Sequence, residues 1–234
     1  MKNINSLILV FALAFTLFFI GPAFLGSEFA PYPLMTMGDA LDFLTPIVLM
    51  PIYYLIFRAV RNDKNPVGLS ITFVILSAIW VEGQGMHLAA NAIGHHLSEL
   101  SLTDAYKLTY FIDEVFSHHL WHLGVVGMAL FLLYAQWKNP YVEPWKPGGA
   151  VIFAVLLHGF TLFLIFVEGQ TCKPGAFICA LILIVVTIWG RKKLKSQTII
   201  FFFSIACGIA LFLIASWGIY WGRSCPEFST IITF

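Results

Sequence analysis

The chain has 234 residues, of which 59% are hydrophobic and only 11% charged. Soluble domains carry about 25% charged residues, so this composition cannot cover a water-soluble core. Thirteen basic residues face twelve acidic ones, which gives no cationic excess for nucleic-acid binding. An integral membrane protein remains, and the mean hydropathy of +0.87 agrees.

A helix needs about 20 apolar residues to cross a bilayer. Seven such stretches follow in chain order: 7–25, 40–60, 67–90, 108–136, 150–170, 175–190 and 198–221. The expectation is an all-α, polytopic seven-helix bundle over one domain, 1–234. The first stretch is longer than the 7–15-residue core of a secretory signal and has no A-x-A site after it, so it is read as a retained span. Polar breaks separate the spans: Arg58–Pro66, Asn139–Gly149, Lys173-Pro174-Gly175 and Arg191–Lys195.

Basic residues set the expected orientation. Lys2 and the loops 58–64, 138–146 and 191–195 fall on one side, against Lys107, Lys173 and Arg223 on the other. The N-terminus is therefore expected in the cytoplasm and the C-terminus outside. Trp137, Tyr141 and Trp145 suit the inner interface, and Trp217, Tyr220 and Trp221 the outer one.

The seven histidines all lie between His87 and His158, six of them between His87 and His122. Ionisable side chains inside a membrane are costly and mark functional sites. On the third span His87, Asn91 and His95 recur every four residues, with Gly94 expected to end the helix. On the fourth, Glu114, His118 and His122 recur likewise, with Asp113 and His119 beside them. Such His-x-x-x-His pairs face one way and can share a metal. Counted at about 1.5 Å per residue, the two stripes lie at one depth near the outer face.

The expected site is a histidine–carboxylate metal centre open to the extracytoplasmic side. His87, His118, His119, His122 and His158 are the candidate ligands, and Glu82 and Glu114 the candidate catalytic acids or bases. Asn91, Asp113 and Glu168 would support them. Zinc or iron suits these donors. The expected activity is a membrane hydrolase or oxidoreductase working on a lipid or other apolar substrate among membrane lipids. A haem b held by His87 with His118 or His122 is the alternative cofactor, and a metal-ion or proton transporter the alternative function. A retinal protein is excluded, since no span carries a mid-depth lysine.

Three smaller signals complete the sequence. Val81-Glu82-Gly83-Gln84 recurs as Val167-Glu168-Gly169-Gln170, which suggests related hairpins. Asp39 and Asp42 open the second span; Asp42 could line the same cavity, but a helix N-terminus favours negative charge and accounts for both. Cys172 and Cys225 both fall outside by this topology and are expected to form a disulfide, whereas Cys179 and Cys207 pack within spans.

Overall fold

The computed structural model describes residues 2–60, 67–141, 145–222 and 225–231. The turn 61–66, the centre of the 138–146 loop and Arg223 lie outside the described residues, as does the side chain of Lys2. Among the described residues the protein is helical, with one isolated bridge between Glu28 and Thr36. Seven helical stretches are long and apolar enough to cross a membrane. The chain is a multi-pass integral membrane protein.

The helices group into two compact units. The first holds Met1–Thr16, Ile52–Asn65 and Leu132–Phe234. Helix α1 (Lys2–Ile20) contributes Ile4, Ile8, Phe11 and Phe15, all buried on one stripe at helical spacing. Phe11 packs edge-on against Tyr53, with ring centroids 4.7 Å apart, and also touches Phe202 and Phe203. Helices α7 (Gly149–Glu168), α8 (Cys172–Trp189) and α10 (Thr198–Tyr220) complete this unit. Gly159 lets α7 approach α10 closely, since a Cβ there would lie 2.8 Å from the Ala206 carbonyl oxygen.

Polar contacts gather at one end of this unit. Lys193, on the short α9 (Arg191–Leu194), donates to the Trp137 carbonyl at 2.6 Å and lies over the Trp137 ring. Burial and the charge of Lys138 hold its ammonium below the usual lysine range. Gln136 Oε1 accepts from the Ile199 amide at 2.6 Å, and Gln197 Oε1 from the Tyr141 amide at 2.8 Å. Trp145 Nε1 donates to Asn5 at 2.9 Å. Asn5 at the start of α1, Gln136 and Trp137, Trp145 ahead of α7, and the α9 turn thus share one end.

The second unit holds Leu17–Pro51 and Pro66–Phe131. The second span is interrupted: α2 (Met37–Phe43) and α3 (Thr45–Val60) meet at Leu44, just before Pro46. A capping box starts α2, in which Asp39 Nα donates to Thr36 Oγ1 at 3.0 Å and Thr36 Nα to Asp39 Oδ2 at 2.8 Å. Asp39 is thus the N-terminal acid expected of it.

Helix α4 (Val67–Leu97) runs through Gly94 and carries His95 and His96 within its last turn, so the expected stop at Gly94 is corrected. At ~1.5 Å per residue its 31 residues outreach a hydrocarbon core of ~30 Å. The fourth span begins as α5 (Asp104–Tyr110), widens into a π-helical turn over Phe111–Ser117, and continues as α6 (His118–Lys138). Helices α4 and α6 cross in near-contact: a Cβ on Gly83 would lie 2.4 Å from the Trp121 amide nitrogen, and one on Gly124 2.7 Å from Trp80 Cα. Small residues at such crossings are what let membrane helices pack without a hydrophobic drive.

Candidate functional site

The close crossing sets the level at which the polar groups of the second unit meet. One turn along α4 from Gly83, His87 Nδ1 lies 2.7 Å from Asp113 Oδ1 on the π-helical turn. A carboxylate can only accept, so Nδ1 carries the proton and Nε2 is left as the reactive nitrogen. Asp113 is 7% exposed. The π turn inserts an extra residue between hydrogen-bonded partners, and such turns recur at functional sites. Here it brings Asp113 onto His87, with the Ser117 hydroxyl bonded back to the Asp113 carbonyl.

Glu114, the carboxylate expected on the α6 stripe, keeps 3.7 Å between its Oε2 and His118 Nδ1. That is too long for a hydrogen bond. His118 Nδ1 instead donates to the Glu114 backbone carbonyl at 3.2 Å. The His118 ring lies 4.7 Å from that of His87, and 6.2 Å from that of His122, which is nearly parallel to it. Trp121 completes the cluster, stacking on His87 with 6° between planes and packing on Phe19 at 5.1 Å.

A second polar arm centres on Asp42, the acid that the sequence offered both as a cavity-lining group and as a helix N-terminal one. Gln84 Nε2 donates to Asp42 Oδ1 at 2.8 Å, and the Thr45 hydroxyl donates to the same oxygen at 3.1 Å. Asp42 is therefore a member of the site and not a helix-capping acid. The adjoining Val81–Gln84 repeat contains Gln84, and Pro46 is the sequence feature beside the break at Leu44.

Other candidates fall elsewhere. Glu82 is exposed on α4, one position away from the buried face of Gly83 and Gln84. Asn91 pairs with His95 at 3.0 Å, one turn along the same helix. His119 is exposed and donates to the Val115 carbonyl at 2.6 Å. His158 belongs to the first unit, its ring among Phe11, Phe15, Phe202 and Phe203. Glu168 Oε2 accepts from the Phe228 amide at 3.0 Å. The two repeat copies differ locally: Glu82 to Gln84 lie within a helix, while Gly169 ends α7 and Gln170 takes φ 54°.

Among the described residues, no three His, Cys, Asp or Glu side chains are placed to hold a metal. His87 and His118 come together with rings tilted by 38°, and they spend Nδ1 on Asp113 and on a carbonyl. The nearly parallel rings of His118 and His122 do not aim their lone pairs at one point. Direct contact between the His87 and His118 rings likewise gives a haem sandwiched between them no support.

The expected Cys172–Cys225 disulfide is not formed. Both are free thiols. Cys225 takes φ 42° and borders a shallow hollow of about 560 Å³ that Lys173, Ala215, Gly218 and Gly222 also line.

Similarity to known proteins extends over most of the chain. It is similar to ceroid-lipofuscinosis neuronal protein 6. The dog homologue is 28% identical over 212 residues, 81% of this chain and 66% of the relative. The human protein is 23% identical over 214 residues, with the same coverage. This chain thus spans slightly under two thirds of these curated relatives. No protein-family model and no solved structure matches it.

Proposed function

We propose that the second unit carries an acid–base site at which the protein binds a lipid or other apolar molecule by its polar group. The observation that supports this most is the His87–Asp113 pair, hydrogen-bonded at 2.7 Å within membrane-spanning helices. Asp113 orients the imidazole, which leaves Nε2 to take or give a proton. His118, its own Nδ1 committed to a carbonyl, offers a second oriented Nε2 beside it. An apolar molecule reaches such a site from the bilayer without crossing water.

The test is capture of a photoreactive, clickable fatty-acyl lipid by the purified protein in lipid nanodiscs. Cross-links are expected on peptides from α4 and the π turn, and His87→Gln and Asp113→Asn each reduce them at least severalfold. Equal capture by wild type and both folded variants refutes the assignment.

A metal-assisted version of the site has one feature in its favour, the two oriented Nε2 lone pairs of His87 and His118. It needs further ligands from a bound substrate or from rearranged side chains. Metal analysis of the purified protein tests it: less than about 0.1 zinc or iron per chain refutes it. For sidedness, the basic loops support a cytoplasmic N-terminus and a site near the extracytoplasmic face. A cysteine introduced at Ser196 is expected to label from the cytoplasmic side.

A further inference from the structure

Two buried polar atoms at the site have no hydrogen-bond partner among the described residues: Gln84 Oε1 and Trp121 Nε1. Gln84 is 3% exposed and Trp121 7%. Neither has freedom to turn away. The Asp42 carboxylate can only accept, so it holds the Gln84 NH2 end and leaves Oε1 facing elsewhere. The Trp121 indole packs against the rings of His87 and Phe19, and its backbone lies against Gly83.

Buried donors and acceptors left unpaired cost free energy unless something fills them. One atom here is an acceptor and the other a donor. Both flank His87: Gln84 lies three residues before it on the same face of α4, and Trp121 stacks on its ring. A group that pairs both must itself donate and accept. A hydroxyl does so with a single oxygen, whereas an ether or ester oxygen only accepts and an ammonium only donates.

Resting on the lipid-binding reading above, we propose that the bound molecule is an apolar alcohol. Its hydroxyl donates to Gln84 Oε1 and accepts from Trp121 Nε1–H, beside His87 Nε2. Gln84 and Trp121 are then the residues that select a free hydroxyl, and Asp42 positions Gln84. A site built to hydrogen-bond a hydroxyl rejects an analogue lacking it, because its own polar atoms are left bare.

The experiment compares two photoreactive, clickable probes in nanodiscs, a 1,2-diacylglycerol and its 3-O-methyl ether, on the full chain. The expected result is at least tenfold stronger capture of the alcohol by wild type. Trp121→Phe keeps the stacked ring but loses the donor, and Gln84→Met keeps the length but loses the acceptor. Each is expected to bring the ratio towards one, with the melting temperature recorded beside it. Equal capture of alcohol and ether by wild type overturns the hydroxyl assignment and leaves the lipid site standing. The hydroxyl assignment also falls if the alcohol is preferred but both folded variants keep that preference. Capture of neither probe, unchanged by His87→Gln, overturns the lipid site and this inference together. The wild-type comparison decides even where a variant fails to fold.

Discussion

Gly83→Ala tests whether the α4–α6 crossing sets the geometry of the site. A Cβ at position 83 would sit 2.4 Å from the Trp121 amide nitrogen and 2.8 Å from its Cα. Ordinary van der Waals contact begins near 3.4 Å, so the helices must part by about 1 Å. The obstacle is backbone, which cannot swing aside as a side chain does. Overpacking of this kind costs about 1–3 kcal/mol. One turn away, the His87–Asp113 bond of 2.7 Å would stretch beyond hydrogen-bond range. Gly85→Ala is the control on the same helix, because nothing lies within 4 Å of a Cβ there. It is expected to be neutral or to gain up to about 1 kcal/mol from helix propensity. Thermal unfolding in detergent, followed by tryptophan fluorescence, reads both variants. Gly83→Ala is expected to melt several degrees lower and to lose most lipid capture, and Gly85→Ala to do neither. Equal melting temperatures for the two would refute the close crossing.

Three further outcomes follow from the packing. His158 is 1% exposed and its Nδ1 has no partner among the described residues, so His158→Phe is expected to hold or raise the melting temperature; a loss of more than about 2 kcal/mol would show that the imidazole has polar work in that cage. Lys193→Met removes the cap on the Trp137 carbonyl and is expected to cost about 0.5–1 kcal/mol, read by the same melting curve, with faster amide exchange at the end of α6. Cys225, half-buried, is expected to react with maleimide in the folded protein well before Cys179 and Cys207, which are buried; mass spectrometry of the labelled peptides checks the order.

Span number was legible because hydropathy acts locally: each apolar run must bury its backbone hydrogen bonds in a helix wherever it lies. Each of the seven expected stretches overlaps one long apolar helical segment, the second broken at Leu44 before Pro46 and the fourth carrying a π turn. His87, His118 and His122 were legible as one neighbourhood, since four-residue spacing shares a face. The pairing within it was not. A regular helical period places Glu114 with His118 and His122, but the π turn shifts the register and gives Asp113 to His87 instead.

The sequence by itself determined that this chain resides in a membrane, how many long apolar helices it has, and that six of its seven histidines gather on two consecutive spans. Only the tertiary structure decided which of those polar groups touch. Asp42 meets Gln84 across 42 residues and His87 meets Asp113 across 26. Those partners are chosen by a helix break and by a glycine-lined crossing. Both depend on how one helix lies against another, which composition and periodicity within a single helix do not encode.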